Sequence, residues 1–353
     1  MDKKKKKEKY PSELRLDINS KNWVVIATGR SKRPEMFKSK KKKKVTPKKG
    51  CFFCDIKDQE HPVLAYSNRE KLKIGSDKKT KEYKNLLKKW TTVVIPNKYP
   101  AFIPGGELDR KKEGNFFEKM NAVGFHEVVI TKDHHKFLAL LPIERVRELI
   151  DTYVDRFRDL SKKKKVNYVA IFHNHGPEAG ASVYHPHSQI IGLPLIDTDL
   201  EGALKKAKNY AKTKSCIYCK MNEWEIKEKK RIVYENKNFI AICPFASKAA
   251  FQVIISPKKH LSYFEKITEE EKGDLADMFK KVLLKLNKAL DDPPYNYYLH
   301  CAPSDGKDHS YYHWHWTIIP KTSIWAGFEL GVGIEISTIE PEKAAEYLRK
   351  QKD

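Results

Sequence analysis

Apolar residues recur with helical spacing at two places in the chain. Residues 143 to 160 line up Ile143, Val146, Ile150, Tyr153, Phe157 and Leu160 on one face behind Pro142, whose fixed φ suits a helix start. A second stripe, Leu275, Phe279, Val282 and Leu286, follows Thr268 and Glu271, which have the spacing of a capping box. Between and beyond these helices, short runs rich in β-branched and aromatic residues predict strands at 22–28, 91–95, 127–131, 168–172, 188–193, 251–255 and 314–319.

The order of these elements repeats. YVAIFHNHG followed by HPHSQIIGLP has a counterpart in YNYYLHCAP followed by HWHWTIIPKT, and FHEVVITKDHH has one in AFQVIISPKKH. Each copy is preceded by a Cys-x-x-Cys, so the sequence Cys-x-x-Cys, strand, His, helix, strand, His-x-His occurs twice. Strands flanking each helix predict an α+β fold of tandem units with mostly antiparallel sheets and packed helices. The polar, lysine-rich stretch 196–214 reads as the join, which sets a boundary near 195 and gives halves 1–195 and 196–353. The basic stretch 30–50, with Pro34 and Pro47, reads as a loop leading into the first Cys-x-x-Cys.

At 353 residues with 40% hydrophobic positions, the chain can bury a sizeable core, and it holds no apolar run of about 18 residues that would cross a bilayer. The start, MDKKKKKEKYPSEL, lacks the apolar stretch of a signal peptide, so a cytoplasmic protein is expected. The net charge of +24 raises nucleic acid as a partner, and a zinc-stabilised nucleic-acid-binding protein is the alternative of another class. The excess, however, sits in lysine runs such as Lys3 to Lys7, Lys40 to Lys44 and Lys162 to Lys165, which read as solvated segments. Nucleic acid is therefore not the expected partner.

Of six cysteines, four form the pairs Cys51/Cys54 and Cys216/Cys219, a usage that favours metal over disulfides in a reducing compartment. Tetrahedral zinc needs four ligands, and each tight Cys-x-x-Cys bend supplies two. In the first half the other two come from His134 or His135 and from His185; in the second, from His260 and His313. Four protein ligands leave no open position, so both sites are expected to be structural.

In His185-Pro186-His187-Ser188-Gln189, the alternation of a strand puts His185, His187 and Gln189 on one side. With His185 on a metal, His187 is left as a nucleophile for phosphorus, and Gln189 as a donor to a phosphoryl oxygen. Asn174 and the small-residue run through Ser182 offer further donors to phosphate.

HPHSQII is the pattern of the histidine-triad (HIT) superfamily. The chain resembles its doubled branch, galactose-1-phosphate uridylyltransferase and ADP-glucose phosphorylase, in RLDINSKNWVVIATGRSKRP, CFFC, VVIPNKYPAF, HPHSQ, PPYNYYLHCAP and AGFELGVG. The resemblance implies a ping-pong reaction in which His187 carries a nucleotidyl group taken from a nucleotide sugar. It also implies zinc ligands Cys51, Cys54, His135 and His185, and a second set Cys216, Cys219, His260 and His313 where iron is an alternative. Arg30, Arg33, Asn97, Asn174, Ser182 and Gln189 fall where the family holds nucleotide and phosphates, and Phe328 and Glu329 in its sugar-binding loop. A homodimer is implied as well. The expected activity is UDP-glucose:hexose-1-phosphate uridylyltransferase with galactose 1-phosphate as acceptor. GFELGVG, and Ser323 where many bacterial members carry lysine, keep a nucleotide-sugar phosphorylase using inorganic phosphate as the second reading. His315 stands in the nucleophile's place in the second half, but Thr317 replaces the glutamine, so that copy is expected to be degenerate.

Overall fold

The computed structural model describes residues 12–27, 33–38, 46–213 and 215–352. Its strands are β1 (Glu13–Leu16), β2 (Trp23–Ile26), β3 (Leu64–Ser67), β4 (Glu70–Lys71), β5 (Thr92–Pro96), β6 (Lys111–Glu113), β7 (Phe117–Lys119), β8 (Phe125–Thr131), β9 (Tyr168–His175), β10 (His187–Leu193), β11 (Ile232–Glu235), β12 (Phe239–Ile242), β13 (Val253–Pro257), β14 (Tyr295–His300), β15 (His315–Pro320) and β16 (Ile336–Ser337). The helices are α1 (Lys81–Lys89), α2 (Ile143–Leu160), α3 (Thr198–Ala211), α4 (Ile217–Glu228), α5 (Glu269–Leu290), α6 (Gly327–Val332) and α7 (Pro341–Arg349).

Eleven strands form one antiparallel sheet in the order β11-β12-β13-β15-β14-β9-β10-β8-β5-β3-β4. The two copies of the repeat meet at its centre, where β9 pairs with β14 and His173 stands opposite Tyr297. Alternation along β9 decides the faces. Val169, Ile171 and His173 are buried against the helices, while Ala170, Phe172 and Asn174 are half-buried on the other side. The helix side carries the main core cluster, to which α2 contributes Tyr153 and Phe157 and α5 contributes Phe279 and Val282. α5 starts where expected, with Glu271 N–H donating to Thr268 Oγ1 and Thr268 N–H donating to Glu271 Oε2. The opposite face of the sheet, lined by β10, β9 and β14, is left open for a site.

Two features depart from the sequence reading. The stretch 196–214 holds a capped helix: Asp197 accepts from the N–H groups of Asp199 and Leu200, and Leu200, Leu204 and Ala207 are buried on one face of α3. The first strands, although in the first half by sequence, pack on the second. β2 pairs in parallel with β16, and Arg15 Nη1 lies 2.9 Å from Glu342 Oε1 on α7.

Candidate functional site

The first Cys-x-x-Cys is closed by a hydrogen bond from Cys54 N–H to Cys51 O, which turns both thiols the same way. They meet two ring nitrogens. Cys54 Sγ is 3.2 Å from His134 Nδ1 and 3.4 Å from His185 Nδ1, and Cys51 Sγ is 3.5 Å from His185 Nδ1. The histidine supplied by the turn after β8 is thus His134. His135, the residue the family resemblance selected, is not part of the cluster. The chain reverses after Thr131, so that His134 points inward and is buried while His135 is exposed. In the second half Cys216, Cys219, His260 and His313 converge in the same way, with Cys219 Sγ 3.6 Å from His260 Nδ1 and 3.5 Å from His313 Nδ1.

Both clusters fit a tetrahedral S2N2 cation. In all four histidines Nε2 faces a backbone carbonyl: Thr46 O at 3.0 Å for His134, Thr131 O at 2.7 Å for His185, Ser310 O at 2.8 Å for His260 and Pro257 O at 3.0 Å for His313. Each Nε2–H therefore donates outward and leaves an Nδ1 lone pair aimed at the thiols, the arrangement metal-bound imidazoles adopt. Burial holds His185 neutral, its pKa pushed down to about 4. In the second cluster the hydrogen bond from Cys219 holds the Cys216 thiol well below its ordinary value.

β10 carries His187 two residues beyond His185. Its Nδ1–H donates to His185 O at 2.9 Å, so the Nε2 lone pair is free of the backbone, and burial keeps the ring neutral by lowering its pKa. Phe53, from within the Cys-x-x-Cys bend, packs edge-on against the His187 ring with centroids 5.0 Å apart. The metal loop thereby also positions the candidate nucleophile.

Three carboxamides gather on the open face beside it. The register that pairs Ser188 with His173 sets Asn174 next to His187 one step along, and Gln189 shares the same face. Asn174 Oδ1 accepts from Asn296 Nδ2 at 2.8 Å, and that nitrogen also donates to Ala179 O, which fixes both amides. Asn97 Oδ1 accepts from Tyr99 N–H at 2.9 Å, and Gln189 Oε1 lies 2.8 Å from His126 Nε2. Each oxygen is tied back to the protein, so each NH2 remains a donor, a set suited to anionic phosphoryl oxygens. The loop after β9 turns through Gly176 and Gly180, at φ of +82° and +87°, where a side chain would be strained. Asn174 also lines an open cleft of about 440 Å³ that extends across β9 and β14 to Lys321 and Trp325.

The remaining candidates are more scattered. Ser182 is exposed in the loop before β10. Arg33 is exposed at the head of the turn Pro34–Phe37, and Arg30 lies outside the described residues. Phe328 and Glu329 sit on α6, none of whose residues is buried, and the Glu329 carboxylate accepts from Ala326 N–H at 3.0 Å, closing its own helix. Sequence reasoning passed over Asn296 and Phe53. Only Phe53 left a signal: the second loop also carries an aromatic, Tyr218, before its last cysteine.

Comparison with known proteins reaches across the whole chain. The family model for the N-terminal domain of galactose-1-phosphate uridyl transferase matches residues 1–196, and a domain of unknown function (DUF4921) matches residues 118–351. ADP-glucose phosphorylase of Arabidopsis thaliana is 31% identical over 97% of this chain and 94% of its own length. Galactose-1-phosphate uridylyltransferase of Thermotoga maritima is also 31% identical, over 96% of this chain and 98% of its own. The crystal structure of the Arabidopsis thaliana ADP-glucose phosphorylase with bound ADP-glucose superposes with a TM-score of 0.76 at 27% identity, covering 97% of this chain and 100% of that one. An HPHSQ strand on a doubled scaffold, two Cys2His2 clusters and full-length similarity of this kind lead to one conclusion: the chain belongs to the galactose-1-phosphate uridylyltransferase family.

Proposed function

We propose that the protein transfers a nucleotidyl group from UDP-glucose to a hexose 1-phosphate, with galactose 1-phosphate as the acceptor, through a covalent uridylyl-His187. The observation that carries this reading is His187 itself. Its Nδ1–H is anchored on His185 O, and its second nitrogen belongs to the face where Asn97, Asn174 and Gln189 present amide donors. Nε2 attacks the α-phosphorus, the bond to the bridging oxygen breaks, and glucose 1-phosphate leaves as a stable anion that needs no proton. The amides take up charge on the non-bridging oxygens as it builds. A phosphate oxygen of the acceptor then attacks the same phosphorus from solution and frees His187. Gln189 acts on the reacting phosphoryl group, Arg30, Arg33, Asn97, Asn174 and Ser182 hold nucleotide and phosphates, and Phe328 and Glu329 contact the sugar.

The second reading, a phosphorylase with inorganic phosphate as acceptor, is favoured by the equal similarity to the Arabidopsis thaliana ADP-glucose phosphorylase. Intact-mass measurement after brief exposure to UDP-glucose or ADP-glucose names the nucleotidyl group carried. Release of the adduct by galactose 1-phosphate supports the first reading, and release by phosphate alone replaces it with the second.

Each Cys2His2 cluster holds a structural zinc, with iron the alternative in the second, since four Cys and His ligands with no open position are the donor set of structural zinc. We place the protein in the cytoplasm, in keeping with six cysteines none of which is paired in a disulfide. A homodimer would cover the apolar side chains that residues 324–332 expose, with Ile324 94%, Leu330 72% and Val332 58% accessible. Light scattering of a Leu330→Glu variant checks this: a wild-type monomer, or a variant with undiminished dimer, refutes it.

A further inference from the structure

His126 stands on β8 beside the site with both ring nitrogens engaged. Ala101 N–H lies 3.0 Å from its Nδ1, and because a backbone N–H can only donate, that nitrogen carries the lone pair. A neutral imidazole that accepts at Nδ1 has its proton on Nε2. That Nε2 is 2.8 Å from Gln189 Oε1, so the ring donates to the carbonyl oxygen of Gln189 and turns its NH2 the other way. Asn97 Nδ2 is 3.1 Å from the same nitrogen, and a protonated Nε2 gives it no acceptor there, while Asn97 Oδ1 is already occupied by Tyr99 N–H. The tautomer thus orients the Gln189 amide, while Tyr99 N–H orients that of Asn97.

We propose that His126 is a positioning residue that sets the polarity of this donor set, by fixing Gln189 with its NH2 group toward the phosphoryl oxygens beside Asn97. The proposal rests on nucleotidyl transfer at His187. The polarity matters because a carboxamide is two-faced. Rotated by half a turn, Gln189 would present its carbonyl oxygen to an oxygen that is gaining negative charge, and a stabilising contact would become a repulsive one. The second half supports the coupling of the two positions. Val128 stands opposite Gln189 as Ile254 stands opposite Thr317, so His126, two residues before Val128, corresponds to Gln252. Where the glutamine has gone, the histidine has gone with it.

The competing explanation is that His126 merely anchors the loop at Ala101, and two near-isosteric replacements separate the roles. His126→Gln places an amide N–H near the position of Nε2 and keeps the donor to Gln189. His126→Asn places an oxygen near the position of Nδ1, which keeps the acceptor for Ala101 and loses the donor. Single-turnover formation of the nucleotidyl enzyme from UDP-glucose and from ADP-glucose, with KM and thermal midpoint recorded, is the readout. His126→Asn is expected to slow the step by about 10- to 100-fold with little change in KM, a part of the loss typical of removing one such donor. His126→Gln is expected to stay within a few-fold of wild type, and His126→Asn added to Gln189→Ala to lower the rate little further. Asn retaining the rate while Gln loses it, or a full additive loss in the double variant, overturns the proposal. A wild-type protein that takes up no nucleotidyl mass from either sugar overturns the transfer reading itself, and this proposal with it.

Discussion

The two halves of the sheet are built to the same plan and differ at the point where one of them is expected to do chemistry. His185 and His187 on β10 match His313 and His315 on β15, and in both halves the second histidine turns its Nδ1 to the carbonyl of the first, at 2.9 Å for His187 and 3.4 Å for His315. Each also has an aromatic from its cysteine bend against it, Phe53 in one half and Tyr218 in the other, with Tyr218 and His315 centroids 5.4 Å apart. The divergence lies in what faces the ring. His187 has Asn174 beside it, whereas His315 lies opposite His300, and the two rings stack with centroids 4.7 Å apart. Burial pushes the His300 pKa down to about 4 and that of His315 well below its usual value, so the pair is a neutral, packed element. The scaffold therefore keeps the orientation of the histidine in both halves, while in the second a neighbouring ring fills the space beside it.

The sharpest test removes each histidine in turn. His187→Ala is expected to abolish the covalent adduct and to lower turnover by at least about 10^4-fold, the order seen when a nucleophile is deleted. His315→Ala, which opens a space beside His300 on the far copy, is expected to leave adduct formation close to wild type while lowering the thermal midpoint. Radiolabel or mass retained on the His187→Ala protein would show that the comparison assigns chemistry to the wrong strand.

Metal removal separates the halves less completely. Cys51→Ser with Cys54→Ser, and Cys216→Ser with Cys219→Ser, are each expected to lower the thermal midpoint by on the order of 10 °C, since a site absent from the unfolded chain adds its binding energy to folding. The first pair should also take activity away below that midpoint. Its bend carries Phe53 onto His187, and His185, a member of the same cluster, lies two residues from His187. The second pair should leave the remaining folded protein active. Equal residual activity in the two would mean that the first metal loop does not position His187.

Much of this contrast is legible in the sequence, because it depends on local spacing. The stripe at 143–160, the Thr268 cap, the alternation in HPHSQ and the two cysteine pairs each fix their element from neighbours in the chain. What escaped depends on distant chain. Whether His134 or His135 enters the cluster is decided by how the turn after Thr131 lies over Thr46, which no spacing rule contains. The tie from Asn296 to Asn174 crosses from one half to the other, and the tie from His126 to Gln189 crosses between strands. α3 was hidden for another reason: its lysines mask a sparse stripe of Leu200, Leu204 and Ala207.

The smallest effect probes the helix side of the same strands. Ser188 follows His187 and points into the core, where its Oγ is 2.5 Å from Tyr153 Oη, 3.1 Å from His173 Nδ1 and 3.2 Å from Tyr297 Oη. In the second half the matching residue is Trp316, packed on Phe279 with centroids 5.1 Å apart, and the polar cluster is replaced by aromatic contacts. Ser188→Ala leaves the two tyrosines bonded to each other at 2.6 Å but takes away the hydroxyl partner of His173 Nδ1, in a ring whose Nε2 has none among the described residues. The expected destabilisation is about 1 to 3 kcal/mol, the penalty for a buried polar group left unpaired. Adding His173→Phe should recover part of it, because removing both members of a buried polar pair is milder than removing one. Denaturant unfolding measures both variants. If the double variant is less stable than Ser188→Ala by the full amount of His173→Phe alone, the two side chains are independent and the polar core of the first half is not the cooperative counterpart of the aromatic core of the second.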